Sequence, residues 1–203
     1  MLRNSYFVSC LFLLLIAYLF IIGLLIQSIM FTATTVIRQV RTTVPLGLRI
    51  TSARSKHFLA NVPLKKRGAD NVSSDELKGK MILLYFSAGW CRSCKMFTPK
   101  LKKFYEELDE EKRKDIDVVW ISRDKEAPDQ LEYYEKAMPA WYYIPFGDQN
   151  IQGFVEKYGV KVIPALKLVN DNGEVLDDRV RSDVEGCSKG DASKCYDKWK
   201  KEF

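Results

Sequence analysis

The chain has 203 residues, 47% of them hydrophobic, which suffices for one folded domain of ordinary size with an attached segment. Its net charge of +6 is unevenly spread: nine of the 32 Lys and Arg but none of the 26 Asp and Glu precede Asp70, so the rest is mildly acidic. Nucleic-acid binding needs basic residues clustered on the folded surface, and five scattered cysteines do not make a disulfide scaffold, so both classes are set aside.

After a short flank, residues 1–5, the stretch from Tyr6 to Phe31 is uncharged and apolar and long enough to cross a bilayer core of about 30 Å as one helix. It exceeds the apolar core of a cleaved signal peptide and no A-x-A site follows closely, so residues 6–31 read as a transmembrane anchor. A start at Met30 gives a different reading: an Arg-, Thr- and Ser-rich leader without acids, as in mitochondrial targeting peptides. Arg38, Arg41 and Arg49 follow the span, and the positive-inside rule favours a cytosolic C-terminal domain. The sequon Asn71-Val72-Ser73 is usable only on a lumenal side and argues the other way.

Residues 32–56 show no sustained periodicity and read as a basic linker; residues 57–203 read as the domain. Met81 to Ser87 is a continuous apolar run of strand length. From Cys94 to Glu111 the period becomes helical through Phe97, Leu101, Phe104 and Leu108, and Pro99 is expected to bend that helix or mark where its regular part starts. Ile116 to Ser122 predicts a second buried strand, with helices from Pro128 to Ala137 and from Gln149 to Tyr158. Ala165 to Asn170 and Glu174 to Val180 flank Asp171-Asn172-Gly173 as a β-hairpin, and Ala192 to Glu202 predicts a terminal amphipathic helix. The alternation predicts an α/β domain with an antiparallel C-terminal end.

Cys91 and Cys94 fall where the first buried strand gives way to a helix. Unpaired amides and the helix dipole favour a thiolate there, so Cys91 is expected to attack and Cys94, one turn on and nearer the core, to resolve a mixed disulfide. Arg92 adds a cation beside the attacking sulfur, which favours the reduced form and makes the pair more oxidising; its other reading is a dock for an acidic substrate. A zinc clip lacks ligands at suitable spacing, His57 being the sole histidine, and a purely structural disulfide is the remaining alternative for the pair. Cys187 and Cys195 read as small side chains packing under the terminal helix, with a second disulfide as the alternative in an oxidising compartment.

An ordered set of motifs, from about His57 to the end, resembles the tryparedoxin and nucleoredoxin branch of the thioredoxin superfamily. It comprises Leu77-Lys78-Gly79-Lys80, Tyr85-Phe86-Ser87-Ala88 before Trp90-Cys91, Phe97-Thr98-Pro99, Val118 to Ser122 followed by Asp124, Ile144 to Asp148, Tyr158-Gly159-Val160 ahead of Ile163-Pro164, and Asp171-Asn172-Gly173. The resemblance implies a thioredoxin-like fold, a central mixed β-sheet flanked by helices, here preceded by a single N-terminal transmembrane helix. It further implies a cis-Pro164 facing the disulfide, an Ile163 backbone that pairs with a bound substrate chain, a Trp90 that shields the sulfurs, and a surface loop from Trp141 to Asp148 near the site; core or rim packing is the plain alternative for both tryptophans. Two departures stand out: Arg92-Ser93 replaces the Pro-Pro common in this branch, and Tyr85 stands where thioredoxins proper have a buried proton-relaying Asp.

The expected function is a membrane-anchored protein-disulfide reductase using the redox-active Cys91–Cys94 pair, with no metal or organic cofactor. Its expected partners are protein disulfides, with a peroxiredoxin or a signalling protein as candidates, an electron donor the sequence does not identify, and the membrane through residues 6–31. The alternatives are a lumenal oxidase or isomerase, and a redox-sensitive binding module.

Overall fold

The computed structural model describes residues 57–203 apart from Lys189, together with the isolated Ile22. The expected anchor at 6–31 and linker at 32–56 thus lie outside the described residues, among which no helix is long and apolar enough to cross a membrane.

The strands are β1 (Leu64–Lys66), β2 (Ala69–Val72), β3 (Met81–Ser87), β4 (Ile116–Ser122), β5 (Tyr142–Tyr143), β6 (Ala165–Val169) and β7 (Val175–Asp177). They form one mixed sheet in the order β2-β1-β5-β4-β3-β6-β7. β3 runs parallel to β4, from Met81 beside Ile116 to Ser87 beside Ser122, and antiparallel to β6 on its other edge. The helices are α1 (Arg92–Glu107), α2 (Glu110–Lys114), α3 (Ala127–Ala137), α4 (Gln149–Lys157), α5 (Val180–Gly186) and α6 (Ala192–Lys200).

The apolar run of β3 serves two cores by strict alternation, as a strand covered on both faces requires. Met81, Leu83 and Tyr85 enter one core with Phe97, Leu101 and Phe104 of α1 and Tyr196 and Trp199 of α6. Ile82, Leu84 and Phe86 enter the other with Phe154 of α4, Tyr158, Leu59 and Leu77.

Four expectations need correction. The single helix from Cys94 to Glu111 starts at Arg92, runs unbroken through Pro99 and stops after Glu107, because the Asp109 carboxylate accepts from Lys112 N at 2.8 Å and caps a separate helix, α2. The strand expected over Glu174 to Val180 ends at Asp177, whose buried carboxylate accepts from Arg179 N at 2.7 Å and turns the chain into α5, a helix the sequence reading lacked. The hairpin of β1 and β2 was also absent from that reading, since LKK and ADNV carry hardly any apolar signal. Trp141 does not open a surface loop: it is 2% exposed, packs edge-on against Tyr85 and Tyr105, and precedes the buried β5, so only Phe146 and Gly147 of that stretch are exposed.

The hairpin joining β6 and β7 is as expected, with Val169 opposite Val175. Gly173 adopts φ +73° in its turn, a conformation that costs other residues a clash between Cβ and the backbone.

Candidate active site

β3 ends at Ser87, and α1 begins five residues later with Cys91 as its N-cap. The loop between is held by the turn after β4. Asp124 accepts from Gly89 N through Oδ1 at 2.8 Å and from the Ser122 hydroxyl through Oδ2 at 2.7 Å, while the Trp90 indole N–H donates to the Arg123 carbonyl at 3.1 Å. A side chain on Gly89 would sit 3.0 Å from Tyr133 Cβ, so the loop lies flat on α3.

The N-terminus of α1 is aimed at the first sulfur: Cys94 N–H donates to Cys91 Sγ at 3.3 Å. Cys91 Sγ also lies 3.8 Å from the Ile163 carbonyl oxygen. The Ile163–Pro164 peptide is cis, as the resemblance implies, and Ile163 packs against a small cluster of Ala88, Cys91 and Cys94. Cys91 is 9% exposed and Cys94 fully buried behind it, and both thiols are free. Burial, then a hydrogen bond with Cys91, pushes the Cys94 thiol up to about 12.

Trp90 is 58% exposed and stands as a ridge between two surface hollows. One, of about 440 Å³, lies among Arg123, Asp124, Lys161 and Ile163; the other, of about 530 Å³, lies among Lys95, Asp129, Glu132 and Lys136. Met96 and Val162 are 63% and 76% exposed. Trp90 and Val162 share the lining of the first hollow, beside Ile163. Arg92 is exposed at the first position of α1, where water screens its charge.

With Tyr85 in place of an acid, the sequence leaves proton transfer at Cys94 to water or another group, and next to the Cys94 backbone the structure places a buried hydroxyl cluster. Thr98, one turn after Cys94, accepts from or donates to Tyr85 OH at 2.7 Å and Tyr133 OH at 2.5 Å, and its own hydroxyl reaches the Cys94 carbonyl at 3.0 Å. Ser87 Oγ, at the end of the same strand as Tyr85, accepts from the Trp120 indole at 2.8 Å. Burial raises both phenols, and each lies near enough to Cys94 for charge on one to oppose charge on the other. Tyr85 was singled out from sequence as a departure, whereas Thr98 and Tyr133 carried no signal beyond the Phe-Thr-Pro motif. Arg181 of α5 donates to the Pro164 carbonyl at 3.1 Å, a support for the Ile163–Pro164 segment that the sequence did not indicate either. No group of three or more His, Cys, Asp or Glu among the described residues is placed to hold a metal ion.

Comparison with known proteins agrees with this architecture. A family model described as thioredoxin-like matches residues 79–175. The tryparedoxin of Trypanosoma brucei brucei is 40% identical over 123 residues, covering 60% of this chain and 81% of that protein. A probable nucleoredoxin 1 of Arabidopsis thaliana is 37% identical over 121 residues, 60% of this chain, but the match spans only 20% of the nucleoredoxin's length. Among solved structures, a thioredoxin from Wuchereria bancrofti superposes with a TM-score of 0.60 at 35% identity, covering 71% of this chain and 98% of that one. On its fold, its motifs and these relatives, the chain belongs to the thioredoxin superfamily, in the branch of the nucleoredoxins and tryparedoxins.

Proposed function

We propose that this protein is a thiol-disulfide oxidoreductase that reduces protein disulfides, with Cys91 attacking and Cys94 resolving. Its thioredoxin-like relatives support the broad activity. The observation that carries the assignment of roles is the placement of Cys91 Sγ at the helix N-cap, under the Cys94 amide and beside the Ile163 carbonyl, with the second sulfur buried behind it. A hydrogen bond from an amide at a helix N-terminus supports negative charge on the attacking sulfur.

In the first half-reaction the Cys91 thiolate attacks one sulfur of the substrate disulfide, whose S–S bond breaks and whose other sulfur leaves as a thiolate and takes up a proton. In the second, Cys94 gives up its proton and attacks Cys91 Sγ, which frees the second substrate thiol and leaves a Cys91–Cys94 disulfide. A thiol held near 12 needs a nearby acceptor for that proton, and the Thr98 hydroxyl, hydrogen-bonded to the Cys94 carbonyl and to Tyr85 and Tyr133, is the group we assign to that role. An external dithiol must then return two electrons and two protons. The exposed apolar side chains of Trp90 and Val162, which line one hollow with Ile163, suit a protein substrate, and the Ile163 backbone suits an extended one.

Residues 6–31 would tether this domain to a membrane as a single-pass anchor, with residues 57–203 on the cytosolic side; the uncharged apolar run and the arginines after it support that reading. Endoglycosidase treatment checks the topology. Asn71 is exposed on β2, so a glycan there, seen as a mobility shift, would put the domain in a lumen and favour the oxidase reading.

The function is tested in the full chain with insulin as substrate. Cys91→Ser abolishes reduction and traps no substrate, while Cys94→Ser accumulates mixed disulfides on Cys91. Unchanged reduction in either variant would overturn the assignment, and a partner held equally by wild type and both variants would leave a binding module in its place.

A further inference from the structure

Cys187 and Cys195 take no part in the chemistry above and lie beyond residues 79–175 of the family match. Cys187 is the C-cap of α5 and Cys195 the fourth residue of α6. The turn between them is closed by Asp191 N donating to the Ser188 carbonyl at 3.0 Å and by Cys195 N donating to the Asp191 carbonyl at 3.2 Å. That turn brings the two free sulfurs to 3.7 Å. A bond between them requires an approach of less than about 2 Å, since S–S bonds are near 2.0 Å. α6 is already fastened to α5 beside the pair, through Lys198 Nζ and the Trp199 indole, both on Asp183 Oδ2 at 2.7 and 2.9 Å.

Both pack against the edge of the first core, as small side chains under the terminal helix are expected to. They are nonetheless only half-buried and line an open hollow of about 370 Å³ with Asp183, Asp191 and Lys194. Cys187 also borders a second hollow of about 160 Å³ beside Lys103 and Glu107. A small disulfide reagent therefore has a route to the sulfurs.

We propose that Cys187 and Cys195 form a second dithiol-disulfide couple, separate from Cys91 and Cys94 and oxidised by low-molecular-weight disulfides such as oxidised glutathione. Cys195, as thiolate, attacks one sulfur of the glutathione disulfide; the S–S bond breaks and one glutathione leaves as a thiol after taking up a proton. Cys187 then loses its proton to solvent and attacks Cys195 Sγ, expelling the second glutathione. The protein gives up two electrons and two protons, and the glutathione disulfide gains both. The order follows from the helices: Cys187 sits at the C-terminal end of α5, where the dipole opposes a thiolate, and Cys195 near the N-terminal end of α6, where it favours one, while burial, the neighbouring Cys195 and the carboxylates of Asp191 and Glu107 push Cys187 upward.

The test uses the full chain carrying Cys91→Ser and Cys94→Ser, so that failure of the catalytic reading leaves it untouched; the unsubstituted chain is run in parallel in case that variant misfolds. Each is equilibrated in graded glutathione buffers, acid-quenched, alkylated and digested with trypsin, which cuts after Lys189 and Lys194 and so separates the two cysteines unless they are bonded. The expected result is a linked pair of peptides, two hydrogens lighter than the sum of the free ones, whose fraction follows the oxidised-to-reduced ratio. Cys187→Ala holds glutathione on Cys195, while Cys195→Ala reacts at least tenfold more slowly. Fewer than one linked chain in ten at the most oxidising ratio, or single glutathione adducts that never resolve, would overturn the couple; faster reaction at Cys187 would overturn the order of attack.

Discussion

Replacing Thr98 by Val tests whether the buried hydroxyl cluster acts on Cys94 or only fills space. A threonine hydroxyl has one hydrogen and two lone pairs, and a donation to the Cys94 carbonyl with acceptance from Tyr85 and Tyr133 uses all three. Valine keeps the shape and leaves two buried phenolic O–H groups without that acceptor, at about 1–3 kcal/mol for each stranded donor. The expected loss of stability is about 2–6 kcal/mol, the sum for the two donors. Urea unfolding followed by tryptophan fluorescence measures it. Stopped-flow release of substrate thiol from a preformed Cys91 mixed disulfide measures the second effect: slower resolution by Cys94, steeper with falling pH, with Thr98→Ser close to wild type. A Thr98→Val chain that is as stable as its parent and resolves the mixed disulfide at the parental rate would refute the coupling.

Other expectations follow from single contacts. His57 is buried, its Nε2 has no hydrogen-bond partner, and burial holds its pKa below the usual histidine value despite Asp171 at 3.8 Å. The unfolded chain therefore binds the extra proton first, so the contribution of His57 to stability is complete above about pH 6.5 and is lost as pH falls below it. As the sole histidine, His57→Gln should remove that slope from urea titrations between pH 7.5 and 5.5, and an unchanged slope would exclude it as the cause. Gly173→Ala should cost about 2–4 kcal/mol, combining positive φ with a Cβ 2.8 Å from Phe58 and 2.9 Å from the Tyr158 hydroxyl. Gly159→Ala, with positive φ but nothing within 4 Å, should cost only about 1 kcal/mol in the same assay. Arg92→Ala should lower the potential of the Cys91–Cys94 pair by no more than about 20 mV in glutathione titrations, because an exposed charge is screened; a larger drop would mean that Arg92 folds over the sulfur.

What could be read from the sequence was what repeats at short range. β4 was legible to the residue and so was β3, since a strand covered on both faces must be apolar at nearly every position. The edge hairpin of β1 and β2 left almost no trace, because one of its seven residues is fully buried and its pairing is carried by backbone. Asp177 was hidden for another reason: it falls in the alternating pattern of a strand, and only its carboxylate's grip on Arg179 N reveals where the strand turns. At the site, the cysteine pair announced itself by spacing. The hydroxyls of Tyr85, Thr98 and Tyr133 come from a strand and two helices, and two of them sit on aromatic rings that pattern as apolar. For Cys187 and Cys195, eight positions apart, the sequence offered packing and pairing as alternatives, and only the turn between α5 and α6 shows that their sulfurs come together.

Every residue of β3 pairs with β4, and five of its seven also pair with β6, so the strand that leads to Cys91 is the best-held segment of the sheet, while β2 hangs on β1 alone at one margin. Amide hydrogens of Leu83 to Tyr85 should be the last to exchange with deuterium, and those of β2 among the first. Margin opening of that kind leaves the strand, the α1 N-terminus and the two sulfurs in place. Under the proposed chemistry the attacking sulfur therefore keeps its aim through excursions that would unseat a site assembled at the rim, and the disulfide it meets has to do the aligning.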